Sequence, residues 1–258
     1  MKPVIVATIA VALSLGAFAE AKQTAGGKPK LTPEQKAALQ ERIQILKGGD
    51  KIAKPGTQRG TVTIVNAQTR AAAAWLASAV SYLARETRFN VVLKDGAFDA
   101  ASPAVDGNMT LYVIDNPSLP RIVVAPDDRW AYCNVAKIHT DKAAFFEART
   151  KKVVSRTFAM LCGGMSSTYG ISLAGPMPGV SDLDVLPNEH IPVDVTIRMN
   201  QYMEKFGVIP AVLKSYKVAC QEGWAPEPTN DVQRAIWNEV HQIPDKPITI
   251  EFDPKRDK

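Results

Sequence analysis

Apolar and polar positions change period several times between residues 61 and 138, and each change predicts an element. Residues 61–66 are β-branched and read as a strand. Residues 70–88 place Trp75, Leu76, Ala79, Val80 and Leu83 on one broad helical face, and residues 89–93 return to a strand pattern. Strand, helix, strand within about thirty residues is the size of a βαβ unit, so the two strands are expected to be parallel. Residues 109–114 alternate as a strand. Residues 121–125 and 130–138 read as two more, joined through Pro126-Asp127-Asp128 in a hairpin-like connection.

Residues 142–164 form the longest helix-like run in the second half. Val154, Phe158, Leu161 and Cys162 recur at i, i+4, i+7 and i+8, and Gly163-Gly164 supplies the stop. Glu147, Arg149, Lys151, Lys152 and Arg156 fall mostly off that stripe and are expected in solvent. Residues 165–194 are a long connection rich in Gly, Pro, Ser and Asp. Helices are predicted over 195–206 and 210–221, then from a Thr229 or Asn230 cap through His241, with a short strand at 248–252. Upstream, Thr32, Pro33 and Gln35 open a helix whose apolar side is Leu39, Ile43 and Leu46. It is expected to pack on the outside of the main domain. The predicted class is α/β (α+β): a mixed sheet with one βαβ-type crossover helix and a central helix, followed by a mostly helical C-terminal part.

The ends set the boundaries. Lys2, the apolar run 4–15 and Ala17-Phe18-Ala19 have the order of a secretory signal peptide, so residues 1–19 are expected to be cleaved. Residues 20–58 read as a flexible leader with one peripheral helix. Residues 59–258 read as a single domain with a helical subdomain over about 195–258. Export to the periplasm or the extracellular space is expected, with no stable membrane insertion after cleavage. The formal net charge is +5. The basic residues are scattered, with no stripe interleaved with aromatics, and nucleic acid is not expected as a partner. Three cysteines, Cys133, Cys162 and Cys220, in an oxidising compartment permit one disulfide. Cys162–Cys220 is the expected pair, because Cys133 sits inside a predicted strand; the count allows two other pairings.

The order strand, helix, three strands, helix, glycine resembles the N-terminal half of zincin metallopeptidases, above all the metzincin branch with its archaemetzincin-like members. There the helix carries H-E-x-x-H-x-x-G-x-x-H or D. Histidines at i and i+4 face one side and bind zinc, the glutamate activates the metal-bound water, and the glycine turns the chain toward a third ligand. With Gly163 as that glycine, Arg156 and Met160 stand in the two histidine places, Thr157 in the glutamate place and Ser166 in the third-ligand place. Arg156 repels a dication, Met160 offers a thioether that is a poor zinc ligand, and Thr157 is no carboxylate base. The resemblance covers about residues 61–166. It implies a zincin-like domain with no zinc, no cofactor and no catalytic residue, and a candidate binding cleft over Arg156, Thr157, Met160, Gly163 and Ser166.

Other chemistry is sparse. His139, His190 and His241 lie far apart in sequence. Gly170-Ile171-Ser172-Leu173-Ala174 approximates a nucleophile elbow but lacks its last glycine. Asp182, Asp184 and Glu189 form an acidic stretch without the full calcium-loop pattern. Trp224, between Gly223 and Ala225-Pro226-Glu227-Pro228, is either a rigid corner or an aromatic platform for a glycan or peptide. This string also resembles a segment of exported bacterial proteins of uncharacterised function. The leading expectation is a binding module of the cell envelope, taking a peptide, a glycan or an envelope protein. The alternatives are a hydrolase with an unrecognised active site in loop 165–194, to be probed at Ser172 and His190, and a purely structural envelope protein.

Overall fold

The computed structural model describes residues 31–164, 173, 175, 179–186 and 190–241. The expected signal peptide, Ser166, Ser172, Glu189 and the terminal strand at 248–252 lie outside them. Seven helices and two sheets are found among the described residues, in an α/β arrangement.

Five strands make the main sheet: β2 (Val62–Asn66), β3 (Val91–Asp95), β4 (Met109–Ile114), β5 (Ile122–Ala125) and β6 (Trp130–Asn134), in the order β3-β2-β4-β6-β5. β2 is parallel to both β3 and β4, with Val62 opposite Val91 and Met109, and β4 is parallel to β6. β5 is antiparallel to β6 and forms one edge. The expected crossover is present, with α2 (Ala73–Thr87) joining the parallel strands β2 and β3.

The period-2 alternation sorts side chains cleanly between the two faces. Val62, Ile64, Met109, Leu111, Val113, Ala131 and Cys133 join the main core with α2 and α3 (Ala143–Leu161). Val65, Tyr112, Ile114 and Tyr132 point to the other face, where Phe98 packs on both tyrosine rings and the Tyr112 hydroxyl donates to the Ala104 carbonyl.

α3 is buried nearly all round, including Val153, Val154, Phe158 and Leu161, because it is packed on several sides. It lies against the sheet and α2. It also meets α4 (Ser181–Val185) and α5 (Val193–Glu204), and Val195, Met199 and Met203 of α5 enter the same core.

Three expectations change. The predicted helix at 210–221 is instead the short strand β7 (Leu213–Ser215) followed by α6 (Tyr216–Gln221), capped by the Ser215 side chain. β7 pairs antiparallel with β1 (Lys51–Ala53), a strand not expected in the leader. The strand predicted through residue 138 ends at Asn134, whose side chain accepts from the Ala136 amide and opens a 3-10 turn, Val135–Lys137. Finally, α1 (Pro33–Leu46) has the expected capping box at Thr32 and Gln35, and it packs through a different side from the one expected. It touches α7 (Asp231–His241), and Ile45 joins a small second cluster built on Tyr216, Cys220 and Ile236. Leu39, Ile43 and Leu46, the expected packing side, are exposed.

Candidate functional site

The site follows from what α3 does with its polar residues. Arg149, Lys152 and Arg156 stand at i, i+3 and i+7, so they share one flank of the helix. The sequence pattern puts this flank in water, but the following chain folds across it. Arg149 makes two bonds to the Asp184 carboxylate, Nε to Oδ1 at 2.8 Å and Nη2 to Oδ2 at 2.6 Å. Lys152 is buried, and its Nζ donates to the carbonyls of Leu183 at 2.7 Å and Leu186 at 2.6 Å. Arg156 donates through Nη1 to the Leu173 carbonyl and, at 2.7 Å, to that of Gly175. Leu173, Leu183, Leu186 and Ile191 are buried in the main core. The connection is therefore anchored by apolar side chains as well as by three cations.

These contacts perturb the charges as expected. Hydrogen bonding from Arg149 holds the Asp184 carboxyl below its ordinary value, against partial desolvation. Burial lowers the Arg156 pKa, and the nearby charge of Arg121 lowers it further. A guanidinium stays protonated through such a shift.

Of the five residues expected to line one cleft, the four that are described differ in burial and partners. Thr157 is buried and turned inward; its hydroxyl donates to the Val153 carbonyl at 2.8 Å and touches the Cys133 thiol. Arg156 and Met160 are half-buried. Gly163 has φ +79°, and a Cβ there would overlap the Tyr202 ring. Ser166 lies outside the described residues. The turn from Arg156 to Met160 thus presents a cation already bonded to carbonyls. Among the described residues, no group of three or more His, Cys, Asp or Glu is placed to hold a metal.

The remaining candidates separate. His139 packs edge-on against Phe146, with ring centroids 5.0 Å apart, and His241 stacks on Trp237 at 4.1 Å. His190 is exposed on the connection before α5. Asp182 accepts from the Gly179 amide at 2.6 Å, and Asp184 is committed to Arg149. The expected Cys162–Cys220 bridge is absent: all three thiols are free and buried. Cys162 belongs to the main core and Cys220 to the second cluster, so the two packing environments are separate. Burial pushes the Cys133 thiol up to about 12, which leaves it protonated and unreactive at neutral pH.

Trp224 is half-buried and serves as a latch. Its indole N–H donates to Glu222 at 2.8 Å, and Lys54 reaches the same carboxylate at 2.8 Å while lying 5.9 Å from the ring centroid. These bonds, Lys54 first, hold the Glu222 carboxyl at about 2.

The sequence reading missed the sheet edge beside α3. The Asn134 amide donates to the Arg121 carbonyl at 2.8 Å, which fixes the phase of the β5–β6 ladder. Val123 and Ala125 then turn their backbone groups toward β6, while Ile122 and Val124 turn theirs outward. Among the described residues, no strand pairs with that outer side. The alternation of Ile122-Val123-Val124-Ala125 signals a strand, but its place at the edge depends on sheet order.

No known family's sequence profile matches the chain, and no curated protein matches it. Among solved structures, archaemetzincin from Methanopyrus kandleri is similar, with a TM-score of 0.48 and 10% identity, over 59% of this chain and 99% of that one. Archaemetzincin from Archaeoglobus fulgidus, complexed with malonate, gives a TM-score of 0.42 and 10% identity, over 54% of this chain and 99% of that one. A zinc-dependent peptidase from Methanocorpusculum labreanum gives 0.42 and 11% identity, over 54% and 100%.

Proposed function

We propose that this is an exported, zincin-like binding module without zinc chemistry, which takes an extended peptide by adding it as a strand to the outer side of β5. The observation that carries the reading is the edge at Ile122 and Val124, whose outer side pairs with no strand among the described residues, lying next to a helix whose ligand places hold Arg156 and Met160. An edge strand with unpaired amides and carbonyls binds a peptide mainly through backbone hydrogen bonds, and flanking side chains select its sequence. An arginine engaged with two carbonyls, a threonine bonded back into its own helix and a methionine leave this turn without a base or a metal ligand. The partner is then a peptide segment of an envelope protein.

The test is titration of the mature protein with valine- and threonine-rich hexapeptides by calorimetry, alongside Val124→Pro. Proline at Val124 removes an outward N–H and leaves the ladder to β6 paired, whereas Val123→Pro breaks that ladder. Micromolar binding that Val124→Pro weakens at least tenfold, with the thermal transition of the variant retained, is the expected result. Binding unaffected by that change, or turnover of the peptide, overturns the reading.

A further inference from the structure

α1 buries none of its residues fully, and only Ile45 is partly covered, where the helix meets α7 and the second cluster. At 3.6 residues per turn, that contact fixes the direction of every other position. Glu41 is four residues before Ile45 and Glu34 seven before that, so both carboxylates of the helix stand on the side turned to α7. Leu39 and Leu46 are seven residues apart, on a line about a third of a turn away, and Ile43 lies just beyond it. Leu46 is 79% exposed, Leu39 47% and Ile43 37%. Arg42 borders this stripe on the near side, Lys36 and Lys47 on the far side, and all three are exposed. Leu31 extends the apolar surface across a groove that Gln35, Ala38, Leu39 and Arg42 also line. The outer face of α1 is therefore apolar along its middle, positive on both margins and free of the helix's carboxylates. The sequence just before it adds Lys22, Lys28 and Lys30 against one acid, Glu20.

We propose that α1 is a membrane-contact helix that lies on an anionic lipid surface, with Leu39, Ile43 and Leu46 entering the headgroup layer and Lys36, Arg42 and Lys47 beside lipid phosphates. A helix at the interface buries its apolar stripe at the boundary of headgroups and acyl chains, while cations on its margins extend up to the phosphates. Three apolar side chains hold a protein only weakly on a neutral bilayer, so the charge of the surface decides the binding. The contact is peripheral: among the described residues, no helix is long and apolar enough to cross a membrane. A second copy of the chain fits this face poorly. Two such faces brought together oppose cation to cation, since the carboxylates of each helix are turned away. An acidic protein matches the margins, but the central stripe calls for an apolar layer beneath the anions, the order in which a bilayer presents them.

The experiment is co-sedimentation with vesicles of phosphatidylcholine alone and of an equimolar mixture with phosphatidylglycerol. It uses the chain from residue 20, so that the apolar run 4–15 cannot insert on its own. Partitioning is expected to be about tenfold stronger onto the anionic vesicles at low salt and to fall toward the neutral value at high salt. Leu39→Gln/Leu46→Gln and Lys36→Gln/Arg42→Gln/Lys47→Gln are each expected to weaken it about fivefold. Both should keep the thermal transition, because the replaced side chains are exposed and glutamine is a good helix former. Independently of those variants, an environment-sensitive dye on Leu46→Cys, where the three native thiols are buried, is expected to shift to the blue on anionic vesicles. Equal partitioning onto both vesicle types, partitioning unchanged in both variants, or no shift of the dye overturns the proposal. A dimer that Leu39→Gln/Leu46→Gln dissolves, with no vesicle binding, assigns the face to a second copy and overturns it too. Binding to polyglutamate but not to vesicles assigns the face to an acidic protein, with the same consequence.

Discussion

Gly163 is held at φ +79°, and the space its missing side chain would fill belongs to the Tyr202 ring. Gly56 has a similar φ of +73° with nothing within 4 Å of a Cβ. The pair separates backbone strain from crowding. Gly56→Ala is expected to cost about 1 kcal/mol, the left-handed penalty alone, whereas Gly163→Ala is expected to cost about 2–4 kcal/mol because overpacking is added. Urea unfolding of both variants checks this; equal losses would mean that the Tyr202 ring moves away freely. The sequence marks Gly163 as a helix stop but says nothing of the ring lying on it, since Tyr202 is far along the chain. Lys152 carries the same lesson. Its position off the apolar stripe predicts solvent, yet its ammonium is buried on the carbonyls of Leu183 and Leu186. A local period records which side of a helix is apolar. It does not record which polar residues a later segment will cover.

At the level of elements, the sheet strands and the two long helices were legible because each carries its own period: β-branched alternation in 62–66 and 109–114, a helical stripe through Val154, Phe158 and Leu161. β1 and β7 were not, and α6 was read only as part of a longer helix. Strands of three residues have too few positions to show alternation, and Lys51–Ala53 becomes a strand only because Leu213–Ser215 lies beside it. α4 was equally hidden, and its attachment makes a prediction with a definite sign. The Asp184 carboxyl is held below its ordinary value in the folded chain, chiefly by the Arg149 bonds. A group of this kind adds stability above its unfolded pKa of about 3.9 and loses it as pH falls through the lower folded value. Wild type is therefore expected to exceed Asp184→Asn by about 1–2 kcal/mol at pH 6, discounted for partial exposure, with the gap closing below about pH 4. Chemical denaturation of both proteins from pH 2.5 to 7 reads it. A gap that is constant with pH would show that the Arg149 pair contributes no ionic stabilisation.

Across the whole molecule, the side chains of α3 bear on zinc binding more directly than the order of sheet and helix does. Fold and chemistry are separable, because ligands are a few residues grafted on a shared scaffold. The order of elements in 61–163 was readable from the sequence. So were the departures at Arg156, Thr157 and Met160, since residue types need no structure to be known. What needed the structure was the use made of them: the Arg156 guanidinium spans carbonyls of the connection, and the Thr157 hydroxyl returns to Val153. A dication placed at that turn would meet a fixed positive charge and soft or neutral donors, and its desolvation would go uncompensated. Elemental mass spectrometry of the protein, purified without chelator and then dialysed against zinc, is expected to find well under one zinc per chain before and after. Near-stoichiometric zinc that survives dialysis would overturn the non-zinc reading. It would also direct attention to His190 and the acidic residues Asp182 and Glu189 as its ligands.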